Sequence, residues 1–309
     1  MRVLKPRPRV TVVVMVYRMP RQAMNTLTSL GSDYQRQVKD GDYEVVVVEN
    51  ESTEMLDAEV VSDLPGNFRY FRRPNEGHSP VPSVNFGVGQ ARASRVAVMI
   101  DGARMLTPGV VRGLLDAERL AASPVVSVPG YHLGDALHQD AVHRGYNADI
   151  EQTWLAELDW RSDGYRLFDR AVPSASCASG VLLPMAESNC VGVSTRLFTK
   201  LGGFDEAFDT RGGGYVNLDF YKRAVESRGS TLVVLPGEGA FHQFHGGATT
   251  GDPETNREEV LTEMQQQYRQ LRGQDYASPA AAGIMLGRIP RSAAGVLERS
   301  ARLLGGSGA

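Results

Sequence analysis

The chain has 309 residues, a formal net charge of −3 (33 Lys and Arg against 36 Asp and Glu) and two cysteines. That length can bury one large core or two modest ones. A slightly acidic balance argues against a general nucleic-acid binder, which carries a basic surplus or stripe. No apolar run approaches the ~20 residues needed to cross a bilayer. The opening "MRVLKPRPRVTVVVMVY" starts basic and turns apolar, but its apolar part is short, is broken by Tyr17-Arg18 and lacks a small-residue cleavage site, so it is not read as a signal peptide. Cys177 and Cys190 do not make a disulfide scaffold in a chain of this size, and a reduced, cytoplasmic protein is the simpler expectation.

Strand and helix signals alternate over the first ~110 residues. Residues 10–16 form a β-branched run suited to a strand buried on both faces. Residues 20–30 read as a helix, with Met24, Leu27 and Leu30 on one stripe. "YEVVVVEN" (43–50) is a second buried strand ending at Glu49-Asn50, and "FRYFRR" (68–73) is a third. Residues 83–94 are helix-like, and 95–100 is a fourth strand that delivers Asp101. This alternation implies a mainly parallel α/β sheet with right-handed crossovers. Ligands of such sheets sit beyond the carboxyl ends of the strands, where Tyr17-Arg18, Glu49-Asn50 and Asp101 all fall.

After a strand at 124–129, the polar, aromatic-rich stretch to 170 reads as a lid or an acceptor platform. "STLVVLPGEG" (230–239) is a further strand. "DPETNREEVLTEMQQQYRQLRG" has helical spacing, with Pro253-Glu254 in a favourable first turn. "AAGVLERSARLL" is a weakly amphipathic helix at most.

The order of these landmarks resembles a family 2 glycosyltransferase with a GT-A fold. The resemblance is carried by "VTVVVMVYRMP", "VVVVENEST", "NFGVGQARASRVAVMIDGA", "VSTRLFTKLGGFDEAF" and "GGGYVNLDFYKRA", and covers about residues 9–250. It implies a single Rossmann-like catalytic domain over 1–250, with a nucleotide-binding half over about 1–110, an acceptor half over 111–250, and a C-terminal helical extension over 251–309. It further implies that Tyr17 packs on the base, Glu49 takes ribose or base hydrogen bonds beside Asn50, and Asp101 holds the metal-diphosphate. Three positions depart from the family pattern. Ala103 stands where the second carboxylate of an Asp-x-Asp motif is expected, Val216-Asn217 replaces a common Glu-Asp whose aspartate is the usual base, and Val84 replaces an arginine before Asn85.

The lone Asp101 leaves two ways to hold a diphosphate. In the favoured one a divalent metal, Mn²⁺ before Mg²⁺, is shared with His242 and His245, three residues apart in the Gly-rich loop "GEGAFHQFHGG". Related glycosyltransferases carry a metal-binding histidine in a comparable place. In the other, the Arg104 guanidinium neutralises the diphosphate directly. An inverting transferase also needs a carboxylate near the acceptor hydroxyl. Asp219, Glu187 and Glu238 are the candidates, Asn217 being read as a helix N-cap that puts Asp219 in the first turn. Trp154, Trp160, Tyr146 and Tyr165 offer a stacking floor or, more commonly, core packing.

The expectation is a hexosyltransferase-like enzyme that moves a sugar from a nucleoside-diphosphate donor to a glycan, lipid or small-molecule acceptor, with no nucleic-acid partner and no transmembrane segment. The alternative is a catalytically inactive sugar-nucleotide or glycan-binding protein of the same fold. A sugar-phosphate nucleotidyltransferase is disfavoured because the loop after the first strand, "YRMPRQA", has no glycine. A dehydrogenase fails because no G-x-G-x-x-G follows a strand.

Overall fold

The first strand, β1 (Val10–Val16), is buried along its whole length, as is β2 (Tyr43–Asn50). The computed structural model describes residues 7–74, 79–246 and 257–306. It continues with β3 (Phe68–Arg73), β4 (Arg95–Met99), β5 (Arg104–Leu106), β6 (Pro124–Ser127), β7 (Gly130–Leu133), β8 (Ala171–Pro173), β9 (Val191–Ser194), β10 (Thr231–Val234), β11 (Ala240–His242) and β12 (Ile284–Met285). Eight strands form the main sheet in the order β12-β10-β6-β9-β4-β1-β2-β3. Only β9 runs against its neighbours there, and the other pairs are parallel. The remaining four make a second sheet, β5-β11-β7-β8.

Side chains of β1 alternate between two cores, as strand geometry requires. Val10, Val12, Val14 and Val16 join one cluster with Ala23 and Leu27 of helix Pro20–Thr28 and Leu114 of helix Val110–Asp116. Val13 and Met15 face the other, with Val84 of helix Val81–Gly89 and Phe220 of helix Val216–Val225. Burial on both faces explains why these strands carry apolar runs rather than alternating polar residues. The helices expected at 20–30 and 83–94 occupy 20–28 and 81–89.

Residues 130–173, which include the stretch over 131–170 read from sequence as a lid or platform, contain β7, β8 and helix Ala148–Leu158. They enclose a third core in which Tyr131, Trp160, Phe168 and Phe241 are buried. Their aromatics have a packing role that no period in the sequence announced.

The C-terminal region is more than the expected helical extension. Helix Arg257–Arg272 buries Met264 and Tyr268, β12 pairs with β10 at the sheet edge, and helix Ala294–Gly306 follows. The anticipated first turn at Pro253-Glu254 lies outside the described residues. The segment after β12 runs close against Gly237, where an added Cβ would sit 1.9 Å from the Arg288 carbonyl oxygen. Gly237→Ala therefore sets backbone against backbone, a clash no rotamer can relieve. It should lower unfolding stability by ~1–3 kcal/mol in urea titration; unchanged stability would mean this segment does not dock.

Candidate active site

Strands β4, β1 and β2 are adjacent and parallel, so the residues at their carboxyl ends share one edge of the sheet. Asp101 follows β4 and the chain then crosses over β1. A Cβ at Gly102 would lie 2.8 Å from the Met15 carbonyl oxygen and 2.9 Å from Val16 Cγ2, so the crossing demands glycine. The backbone N–H of Ala103 donates to Asp101 Oδ1 at 2.9 Å, which orients the carboxylate. Ala103 is itself fully buried within the first core cluster.

The missing acid is matched by two imidazoles from another segment. In the pairing of β5 with β11, His242 stands opposite Arg104. His242 Nε2 lies 3.0 Å from Asp101 Oδ2, and His245 Nε2 lies 3.7 Å from Asp101 Oδ1. The two Nε2 atoms are 3.0 Å apart. One ligand atom from each of the three residues falls within 4.8 Å of the others. Arg104 Nε is 3.3 Å from Asp101 Oδ2, outside hydrogen-bond geometry. Its Nε and Nη1 are buried with no hydrogen-bond partner among the described residues.

Protonation states follow from burial and neighbours. Burial pushes the His242 pKa well below its ordinary value, with the Arg104 charge adding to the effect and Asp101 only partly opposing it. Burial alone would raise Asp101, but the facing His245 and His242 outweigh it and hold the carboxyl well below the usual range. A neutral imidazole beside an anionic carboxylate is the state metal ligands must reach. One oxygen and two ring nitrogens suit Mn²⁺ better than Mg²⁺, which prefers oxygen throughout.

The loop that carries both histidines is bolted down on each side. Gln243 Nε2 donates to the Gln22 carbonyl at 2.9 Å and to Thr26 Oγ1 at 3.3 Å, and Asn25 Nδ2 donates to Gln243 Oε1 at 2.9 Å. On the other side the Phe244 N–H donates to both oxygens of Glu151, at 3.0 and 2.9 Å. Glu151 was not singled out from sequence; it sits in the first turn of helix Ala148–Leu158 with no local motif.

The other candidates are distributed as follows. Tyr17 is partly buried against the second core cluster. Glu49 is fully buried and accepts from Tyr70 OH at 2.5 Å and the Leu56 N–H at 3.0 Å. Asn50 Nδ2 donates to the Ser79 carbonyl, and its Oδ1 accepts from Ser83 Oγ. Asp219 is buried and accepts from Arg223 Nε at 2.7 Å and Arg272 Nε at 2.6 Å, tying helix Val216–Val225 to helix Arg257–Arg272. Glu238 accepts from Thr107 Oγ1 at 2.5 Å, Tyr165 OH at 2.9 Å and the Gly109 N–H at 3.1 Å. Asn217 is not the N-cap; that position is Tyr215, and Asn217 is the second residue of the helix. Its Nδ2 instead donates to Glu187 Oε2 at 2.7 Å and to the Ser188 carbonyl at 3.2 Å.

No family model matches the sequence, and curated proteins give no match. Solved structures do match. Residues 1–349 of S. aureus TarS superpose with a TM-score of 0.50 at 15% identity, over 85% of this chain and 72% of that one. The complex of the same protein with UDP-GlcNAc gives a TM-score of 0.53 at 15% identity, over 84% of this chain and 66% of that one. The mannosyltransferase PcManGT from Pyrobaculum calidifontis, solved with GDP-Man and Mn²⁺, gives 0.50 at 15% identity, over 98% and 72%. The fold is that of GT-A type glycosyltransferases. At these identities the likeness concerns the fold alone.

Burial raises the Glu151 carboxyl from an ordinary 4.5 to about 7, against the pull of Tyr146 and the Phe244 N–H. Between those values the folded chain keeps a proton that the unfolded chain releases, so this group's contribution to stability falls as pH rises. Burial lowers His138 to about 4 and works in the opposite direction. Comparison with Glu151→Gln isolates the carboxyl. In urea unfolding, the stability of wild type relative to that variant should decline from pH 4.5 to pH 7; a flat difference would place Glu151 at an ordinary pKa.

Proposed function

We propose that this chain is a glycosyltransferase that moves a sugar from a nucleoside-diphosphate donor to an acceptor hydroxyl. The reading rests on the meeting of Asp101, His242 and His245 within 4.8 Å of one another, at the carboxyl edge of β4 and beside β1 and β2. It is supported by fold neighbours solved with UDP-GlcNAc and with GDP-Man and Mn²⁺.

Asp101, His242 and His245 would hold the metal, which when bound neutralises charge developing on the departing diphosphate. Arg104, whose buried Nε and Nη1 have no hydrogen-bond partner among the described residues, adds a fixed positive group from β5. Tyr17 packs on the nucleotide base, and Glu49 and Asn50 line the ribose side. Residues up to about 110 serve the donor and 111–250 serve the acceptor, and within 251–309 helix Arg257–Arg272 and β12 buttress the sheet. The free, buried thiols of Cys177 and Cys190 suit a reduced cytoplasmic setting, and no helix among the described residues is long and apolar enough to cross a membrane.

Glu187 is the best placed of the candidate bases. Asn217 occupies the position where the family resemblance expects an aspartate, and its amide holds the Glu187 carboxylate at 2.7 Å. A carboxylate is thereby returned to within one hydrogen bond of the expected place, its second oxygen taking the proton of the acceptor hydroxyl. Asp219 and Glu238 are less suited, because arginines and structural donors occupy their oxygens. The same Asn217 favours the second reading, a sugar-nucleotide binding protein without turnover.

Calorimetric titration with UDP, GDP and dTDP, in Mn²⁺ and then in chelator, should show binding that depends on Mn²⁺. Asp101→Ala should weaken that binding by ~100-fold or more, beyond what loss of an outer partner costs; binding unaffected by Asp101→Ala would remove the assignment. Glu187→Gln should cut turnover by ~10²–10⁴-fold while leaving donor affinity in place. Tight Mn²⁺-dependent binding with no donor hydrolysis or transfer by the wild-type chain would establish the second reading instead.

A further inference from the structure

Glu187 lies in the loop between the short turn Ala175–Cys177 and β9. A loop has no ladder of backbone bonds to set where a carboxylate stands, so its support comes from individual contacts. After Glu187, Ser188 Oγ accepts the Val128 N–H at 3.0 Å and donates to the Val128 carbonyl at 3.1 Å. Before it, the Ala186 N–H donates to the nearby Ser176 carbonyl at 3.0 Å. Two further supports reach in from the C-terminal region.

The first is Tyr276, whose hydroxyl donates to the Ala186 carbonyl. That oxygen lies in the same rigid peptide plane as the Glu187 nitrogen, so holding it sets the direction in which the Glu187 side chain departs. The Tyr276 ring is met edge-on by Tyr268 of helix Arg257–Arg272 at 5.4 Å and by Tyr215 at 5.9 Å. Tyr215 is the N-cap residue of the helix that carries Asn217, whose amide holds the Glu187 carboxylate. One aromatic cluster thus touches both the backbone beside Glu187 and the helix that grips its side chain. Burial, with the Glu187 charge adding to it, raises the Tyr276 phenol above its ordinary pKa and keeps it a donor.

The second is Ser300, fully buried on helix Ala294–Gly306, whose Oγ accepts the Val181 N–H at 2.9 Å. The approach is close. At Gly180, where φ is +84°, an added Cβ would lie 2.8 Å from the Ser300 Cα. Only glycine fits both the conformation and the contact.

We infer that Tyr276 and Ser300 are positioning residues for transfer, clasping loop 178–190 so that the second oxygen of Glu187 faces the acceptor hydroxyl. The inference rests on the reading of Glu187 as the base. Proton transfer requires heavy atoms within ~2.6–3.2 Å, and a misplacement of ~1 Å can cost about 10²-fold in rate. The C-terminal region thereby acts on the chemistry as well as covering the sheet.

Hydrolysis of UDP-GlcNAc and of GDP-Man by the full chain in Mn²⁺ tests this, with water standing in for the acceptor. The water oxygen bonds to the anomeric carbon, the diphosphate leaves with the electron pair of the broken bond, and Glu187 takes the water proton. Tyr276→Phe and Ser300→Ala should each lower kcat by about 10- to 100-fold. Affinity for UDP and GDP, read by calorimetry, should stay within about twofold. In the Glu187→Gln background the same substitutions should change kcat by less than about twofold, because the group they position is gone. Amide exchange followed by mass spectrometry should quicken over 181–187 in both variants and stay unchanged over 240–244. Undiminished kcat in both variants, unchanged exchange over 181–187, or an equal loss of kcat with and without Glu187 would overturn the inference and leave the transferase reading intact. A wild-type chain that binds both nucleotides in Mn²⁺ yet turns over neither donor would remove the base from Glu187, and this inference with it.

Discussion

Everything at the candidate site hangs on the antiparallel pairing of β5 with β11. The register sets Ala240 against Leu106, Phe241 against Met105 and His242 against Arg104. Side chains alternate along a strand, so a slip of one residue would turn His242 away from Asp101 and bury the wrong neighbour. Each strand has three residues, too few for the ladder alone to define the register. Packing supplies the rest. Phe241 stacks on Tyr131 at 5.1 Å and meets Phe168 edge-on at 5.0 Å. Glu238 clamps the start of the same segment to Thr107 and Gly109, and the Thr107 N–H donates to the Gly239 carbonyl at 3.1 Å. The role of Glu238 is thus explained by register, independently of any chemistry.

The two departures at the heart of the site have a common physical form. At position 103 an acid is absent, and the imidazoles of His242, at the end of β11, and His245, just after it, stand by Asp101. At position 217 an acid is absent, and the amide there holds the carboxylate of Glu187, from the loop before β9. In both places a polar side chain arrives from a different stretch of chain, steered by hydrogen bonds that fix where its polar atom sits. Burial then sets protonation. The removal from water that would harm an isolated carboxylate is outweighed at Asp101 by the facing His245 and His242, and the same burial pushes the His242 pKa down.

Legibility in the sequence followed the range of the interactions. The spans of β1 and β2 are those read from apolar runs and turn residues, because both faces of those strands are covered and the pattern is local; β3, half-buried at the sheet edge, also keeps the span read for it. Asp101, His242 and His245 were separable as candidates because a strand end and a Gly-rich loop each leave a mark in the chain. His132 and His138, whose rings pack against His242, left none. They lie in an aperiodic polar stretch, and only the parallel pairing of β7 with β11, across about 110 residues of sequence, sets His132 opposite His242. Asn217 misled for a related reason: its residue type suits an N-cap, but a long-range partner, Glu187, takes its amide. Local propensity is a weak prior where a buried polar group finds a distant one.

Ala103 sets a limit on what the site can carry. Its side chain is part of the first core cluster and is wholly removed from solvent. An aspartate at that position would drive an ionised group into packed hydrocarbon, at a cost of several kcal/mol. The neighbouring backbone is also pinned, since the Gln243 N–H donates to the Ala103 carbonyl at 2.8 Å. A second carboxylate at 103 is therefore closed to this chain by any single substitution, and the segment that carries His242 and His245 is held beside Asp101 by the packing and hydrogen bonds of its neighbours.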